Sequence, residues 1–403
     1  MTSSDKITTN PRRFPTAKAD SLLAGILLSF MATAGLFYVN IMAAIVDGLV
    51  SGLNLTDAQA GNIGSANIYG AALGALMAII LIKKIKWRPA AIAALIGLIA
   101  IDVFSMFITD PSFLILVRLF HGIIGGLLVG ISYGVIARTA NPDRTFGVLL
   151  FVQFGLGGLG VMLLPRLVPI YGTQALFVAL ILFSLASLAM VPFLDRYPPR
   201  PKSLGVSTGT IQKKPLTFTL LAIFLFQAVN MALLAYIIRL GISYGLERDY
   251  VSTALGLATW VALLGPGLVI VIGTKYGRFW PLFLVMGLTL AGTALFHLSG
   301  SKAAYLIANC GTGITWGMVM AYLLGMASQF DASGRTAAAG GFVSKIGLAT
   351  GPVVAGQILT AGYGFGFILN GALILFVVCT VIMLIPARQL DRQSRRALAD
   401  TPL

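Results

Sequence analysis

Acidic residues are scarce in this chain. Its 403 residues hold 13 Asp and Glu against 28 Lys and Arg, and Glu247 is the only glutamate. Paired catalytic carboxylates and an HExxH run are both absent, so the sequence offers no hydrolytic or metal-assisted site. Cysteine is nearly absent as well. Cys310 and Cys379 lie in apolar segments without CxxC or metal-ligand spacing, which predicts two buried free thiols and no bound metal or other cofactor. No GxxxxGK segment followed by Ser or Thr occurs, so ATP is not the evident energy source. Charge of either sign is thin, at 10% of residues against about 25% in soluble domains. A large soluble enzyme needs polar helix faces that this sequence does not have.

What is present is apolar. Hydrophobic residues make up 58% of the chain and the mean hydropathy is +0.92. A membrane crossing needs about 20 such residues. Twelve candidates follow in order: 21–50, 58–82, 89–109, 112–138, 145–169, 173–194, 217–242, 250–273, 279–299, 302–327, 336–360 and 365–386. They are long and lack period-2 alternation, so helices rather than barrel strands are expected. The first 20 residues are polar and hold two prolines, unlike a cleaved signal peptide.

The net charge of +15 can signal nucleic-acid binding. Here the positive residues cluster between apolar runs, which fits the surface of a bilayer and no nucleic-acid partner. Of the 28 Lys and Arg residues, 22 fall in or beside the tails and loops on the side of the N-terminus, three (Arg166, Arg248 and Lys302) in or beside the opposite loops, and the other three, Arg118, Arg239 and Lys345, are counted within spans. The excess of basic loops marks the cytoplasmic side. Both termini are therefore expected in the cytoplasm, with the chain in a bacterial-type inner membrane.

The longest polar interval, around DRYPPRPKSLG from Asp195, divides the spans six and six. The expected organisation is a cytoplasmic N-tail 1–20, a six-helix bundle 21–194, a linker 195–216, a second bundle 217–386 and a cytoplasmic C-tail 387–403. An internal repeat accompanies the division. RTFGVLLFVQF from Arg144 matches RTAAAGGFVSK from Arg335 at Arg144–Thr145 and Phe151–Val152, at an offset of 191 residues. Both segments open the fifth span of their half. The fold class is thus an all-α membrane protein, twelve transmembrane helices in two pseudo-symmetric bundles. Such repeats are a transporter feature, with the solute site between them near the midplane.

Several local motifs now resemble the major facilitator superfamily, over roughly residues 21–386. Span 4 carries Arg118 followed by Gly122, Gly125 and Gly126, similar to that family's arginine and helix-packing glycine series. Span 11 carries Gly347-x-x-x-Gly351-Pro352-x-x-Ala355-Gly356, similar to GxxxGPxxGG. That pattern normally belongs to span 5 of exporters, whereas span 5 here has Gly155, Gly157, Gly158 and Gly160 without the Gly-Pro pair. The loop LIKKIKWRP keeps the basic charge of the family's GxxxDRxGRR but lacks the aspartate, as does Lys275-Tyr276-Gly277-Arg278 in the second half. The resemblance implies two bundles rocking about a central site, a cavity lined by spans 1, 4, 7 and 10, and coupling to protons.

Ionisable groups inside a span cost at least ~2.5–3.5 kcal/mol each and face protein or a water-filled cavity. Arg118 and Asp102 lie at similar depth across a short hairpin, so an ion pair is expected, with Asp47 as a rival partner. The pair is either a structural salt bridge or, as the resemblance implies, part of proton coupling together with His121 one turn on. Lys345 lies near mid-bilayer, too deep to snorkel easily, and its repeat counterpart region holds Gln153. It is the candidate charge partner of an anionic solute. Tyr38, Asn40, Gln227, Asn230, Tyr236, Asn309 and Trp316 are the other candidate solute contacts, each also readable as packing. Arg239, near the end of span 7, reads as an interface anchor.

The intramembrane charge is net positive, which favours an anionic solute. The expected function is secondary active transport of a small organic anion by a monomer, coupled to protons, as symport or antiport. The alternative is export of hydrophobic compounds, motivated by an aromatic and methionine-rich interior. An intramembrane enzyme, or a channel or sensor of the same topology, are the remaining classes.

Overall fold

The computed structural model describes residues 16–19, 21–81, 85–198, 212–273, 275–330 and 335–399. Most of the expected N-tail and linker, with Lys83 and Lys84, lie outside the described residues. Every regular element among the described residues is helical, as a chain in lipid must satisfy its backbone polar groups internally.

Twelve crossings result. The first, α1, is broken into Leu22–Ala34, Phe37–Asn40 and Met42–Leu53. The others are α2 (Asp57–Leu81), α3 (Trp87–Ser105), α4 (Pro111–Ile136), α5 (Pro142–Tyr171) and α6 (Gln174–Met190) in the first half. In the second half α7 comprises Lys213–Ala235 and Ile237–Ser243, and α8 comprises Arg248–Val261 and Leu264–Ile272. They are followed by α9 (Phe279–Leu295), α10 (Lys302–Gln329), α11 (Arg335–Thr360) and α12 (Phe365–Ala399). Eleven crossings are long and apolar enough to span by themselves, while α1 does so in pieces. The opening helix of each bundle, α1 or α7, is interrupted, in keeping with the pseudo-symmetry.

Two boundaries differ from the sequence reading. α12 runs on to Ala399, through the segment expected as a C-tail, because Pro386 is accommodated inside the helix and the residues after it are mostly good helix formers. The first break in α1 coincides with a close packing contact. Gly35 lies against the backbone carbonyl of Gly125 and the Val129 side chain of α4, so no side chain fits there, and a turn at Gly35–Leu36 follows.

Glycines set the tightest contacts. A side chain on Gly122 or Gly126 of α4 would strike the carbonyls of Asn67 and Ala71 on α2. Gly70 and Gly74 of α2 are pressed in turn against the carbonyls of Leu119 and Ile123. Without a hydrophobic force between helices in lipid, such close backbone approach is what holds them. α11 packs on α7 in the same way, with Gly347 and Gly351 against the carbonyls of Phe224 and Ala228. Side-chain caps fix several starts: Ser21 on Ala24, Asp110 on Phe113 and Ser301 on Ala304.

The bundles α1–α6 and α7–α12 meet along two seams, α2 with α11 and α5 with α8. The face on which the described chain begins and ends is the terminus face below, and the opposite one the far face.

Candidate solute cavity

A cavity of about 500 Å³ lies between the bundles. α1, α4 and α5 line one side and α7, α8, α10 and α11 the other. Its lining reaches Tyr133 and Leu324, close to the terminus-face ends of α4 and α10. Among the sequence candidates it collects Asn40, Gln153, Gln227, Asn230, Asn309 and Trp316. Among the described residues, none that lines it carries a formal charge.

The polar lining is organised by hydrogen bonds. Trp316 Nε1 donates to Gln227 Oε1 at 2.6 Å, and Gln227 Nε2 donates to Ser344 Oγ at 2.6 Å. This chain joins α10, α7 and α11. Across the cavity Gln153 Nε2 donates to Asn40 Oδ1 at 3.0 Å, joining α5 to α1. Asn230 and Asn309 each donate to a backbone carbonyl one turn back, at 2.8 Å. The amide nitrogen of Asn40 is buried with no hydrogen-bond partner among the described residues. A buried donor left unmade is costly, so this nitrogen is a natural contact for a solute oxygen.

Lys345 is half-buried and has neither a hydrogen bond nor an ion pair among the described residues. It is not itself a lining residue, but its neighbours Ser344 and Leu348 are.

Two other candidates lie elsewhere, which corrects the expectation that they line the cavity. Tyr38 is buried beside His121, with ring centroids 5.9 Å apart. Tyr236 sits where α7 breaks, and its hydroxyl donates to the Asp57 carbonyl at 2.7 Å and also contacts the Pro352 carbonyl at 3.1 Å. It closes the α2–α11 seam.

Arg118 forms a separate buried cluster. Its Nη1 donates to Asp102 Oδ1 at 2.7 Å, and its Nη2 to the Ile101 carbonyl at 3.3 Å and to Ser105 Oγ. The guanidinium also lies over the rings of Tyr38 and Phe177, at 5.8 and 5.2 Å from their centroids. His121 Nε2 faces Asp102 Oδ2 at 3.3 Å, while Asn67 Nδ2 approaches Nδ1 at 2.7 Å. With the amide so placed it donates to Nδ1, which puts the imidazole proton on Nε2, aimed at the carboxylate. Asp102 thus receives one bond on each oxygen.

Asp47 is not the rival partner. It is held by Arg248, the first residue of α8, reaching from the other bundle. The sequence reading left Arg248 in a loop and so missed a group of charges at the far face. Arg239 pairs with Asp57 at 2.8 Å, and Arg166 with Asp249 at 3.3 Å. Thr360 Oγ1 accepts from the Ala58 backbone at 2.9 Å. The available signal was position, since Asp57, Arg248 and Asp249 all stand at helix starts on the side where charge is rarest. Tyr69 with Thr350 and Trp260 with the Gly155 carbonyl, both at 3.0 Å, continue the seams to mid-depth. These cross-bundle polar contacts among the described residues therefore all lie at the far face or in the middle.

Two pseudo-symmetric helix bundles around one cavity, closed at one face, define a polytopic membrane transporter rather than an enzyme. Residues 22–347 match the Major Facilitator Superfamily, and the chain belongs to it. No protein of curated function matches the sequence significantly. Among solved structures, a mutant of the nucleoside transporter NupG superposes with a TM-score of 0.67 at 14% identity, covering 91% of this chain and 98% of that one. A bacterial homolog of the human lysosomal transporter Spinster, inward-facing and occupied, gives 0.67 at 14% identity over 96% and 99% of the two chains. The same homolog, inward-facing and unoccupied, gives 0.64 at 14% identity over 94% and 98%. At this identity the likeness is one of fold.

Proposed function

We propose that the chain moves a small organic anion across a bacterial-type inner membrane, coupled to protons, by rocking of the two bundles about the cavity. Both termini face the cytoplasm, as the distribution of Lys and Arg supports, so the conformation described is open to the inside. One chain encloses the whole cavity and works as a monomer.

One observation carries the anion. Arg118 is neutralised by Asp102, Arg239 by Asp57 and Arg248 by Asp47. Lys345 alone among the intramembrane cations has no partner among the described residues. Removing a charge from water without a partner is costly, and a solute carboxylate entering beside Ser344 supplies one. Trp316, Gln227, Asn230 and Asn309 then orient the remainder, and Asn40 offers its free amide. The Arg118–Asp102–His121 cluster, which touches the cavity helix α1 at Tyr38, is assigned to proton coupling. Replacing Lys345 with Ala is expected to abolish uptake of a labelled organic acid into proteoliposomes, whereas Arg retains part of it. Unchanged uptake with Ala excludes this role.

The uncharged lining favours a second reading, export of hydrophobic compounds. Thermal stabilisation of the purified protein separates the two, because a ligand that binds only the folded state raises its Tm. Organic acids raise it under the first reading and cationic or neutral apolar compounds under the second.

A further inference from the structure

At the terminus face of the second bundle lies a second pocket, of about 830 Å³, whose lining residues are distinct from those of the cavity. It is bounded by the turn between α8 and α9, the start of α9, the terminus-face end of α12 and Met318 of α10. Lys275, Arg278 and Arg395 line it, with Asp391 as the only acid among the described residues.

Asp391 is already engaged. Its carboxylate accepts from the backbone nitrogens of Arg278 at 2.8 Å and Phe279 at 2.9 Å, and lies 3.6 Å from the Arg278 guanidinium. It fills the space a side chain on Gly277 would need, at a residue whose φ is +72°. The acid missing from the Lys275-Tyr276-Gly277-Arg278 loop is thus supplied by α12. The side chains of Lys275 and Arg395 remain exposed, with no hydrogen bond or ion pair among the described residues.

The rest of the lining is amphipathic. Tyr276 and Trp280 are exposed aromatics of the kind that sit at headgroup depth. Leu284, Val285 and Met318 form an apolar wall, and Leu284 is 62% exposed on the outer surface of the bundle. The corresponding corner of the first bundle is closed by its own chain. There Trp87 packs edge-on against Tyr197, and Arg88 donates to the Asp195 carbonyl at 3.3 Å.

We propose that this pocket is a headgroup site for an anionic phospholipid. The phosphodiester sits between Lys275 and Arg395, with the Arg278 side of the pocket behind it. The acyl chains follow the wall formed by Trp280 and Leu284. A soluble anion would use the cations but leave the apolar wall bare, and a zwitterionic lipid would use the wall but bring its own cation among three others. Basic pockets between helices on the cytoplasmic side are suited to such headgroups. The site does not depend on what the central cavity carries.

The test uses the full chain in detergent and lipids brominated in their acyl chains, which quench nearby tryptophan. The Trp280 signal is the difference between wild type and Trp280→Phe. Brominated phosphatidylglycerol is expected to quench it at lower mole fraction than brominated phosphatidylcholine, on the order of thirtyfold, since each cation contributes about fivefold. The double variant Lys275→Gln with Arg395→Gln loses that preference, and Lys275→Arg with Arg395→Lys keeps it. Both side chains are exposed, and an unchanged Tm of the unliganded double variant confirms its fold. Equal quenching by the two lipids overturns the proposal, as does a preference that survives in the Gln variant. Displacement of the lipid by inorganic phosphate at constant ionic strength would assign the pocket to a free anion instead.

Discussion

Arg118 and Asp102 are both completely shielded from solvent. Burying two charges is unfavourable unless geometry and extra hydrogen bonds compensate, and removing one partner leaves the other stranded. Asp102→Asn is therefore expected to destabilise the protein by about 3–5 kcal/mol, read as a fall in Tm. Arg118→Met combined with Asp102→Leu is expected to recover most of that loss. The double variant also separates structure from coupling. If it folds and binds solute but no longer responds to a pH gradient in proteoliposomes, the pair couples protons. A full pH response in that variant leaves it a structural bridge.

This pair was legible in the sequence because depth can be counted along a short hairpin. Asp47 was not. Its partner Arg248 comes from 201 positions away, and no local count reaches across two bundles. Six polar cavity residues were readable as intramembrane amides and an indole. Tyr38 and Tyr236 belong to the same class of residue, but their position about the helix axis turns them into the bundle and the seam. Composition and depth do not specify that rotation when a helix is apolar all round.

At the scale of elements, the α2–α4 contact depends on backbone meeting backbone. Gly122→Ala is expected to cost about 1–3 kcal/mol, the usual range for overpacking, because its Cβ meets the Asn67 and Ala71 backbone rather than a side chain that can turn away. Gly147 of α5 is the control, since a Cβ there would have no atom of another residue within 4 Å beyond its own helix turn. Gly147→Ala is expected to be neutral or to stabilise by up to ~1 kcal/mol, as alanine is the better helix former. Equal effects at the two positions, measured as Tm in one detergent, would count against close glycine packing. The glycine series of span 4, with Gly122 and Gly126, announced this contact, and the matching glycines of α2 complete it. The break in α1 was not announced, because an unbroken apolar run looks the same whether one helix or three cross the membrane. Nor was the continuation of α12, since charged helix formers after an apolar run read equally as a tail.

The whole molecule was the most legible level: twelve runs, a six-and-six division and an internal repeat needed only hydropathy and counting. The conformation was not, because it depends on which far-face charges meet. Among the described residues three ion pairs cross there, each between bundles, and their burial ranks them. Asp47 is 2% exposed and its partner 29%, Asp57 17% and Arg239 30%, whereas Asp249 is 78% exposed. Exposed pairs contribute about 0–1 kcal/mol, so Arg166–Asp249 adds little. The two sheltered pairs hold the far face shut, and each ~1.4 kcal/mol removed from them moves the balance tenfold towards the opposite state. Arg239→Gln would leave Asp57 sheltered without its cation, so it is expected to enrich the far-open conformation. Asp249→Asn is expected to change nothing measurable. Spin labels placed at the exposed far-face ends of α1 and α8 report the separation of the bundles. A longer distance should appear with Arg239→Gln and be lost again when the charges are exchanged, as Asp57→Arg with Arg239→Asp. If the distance distributions of all three variants coincide with wild type, the seam glycines and Tyr236 close the far face without help from charge.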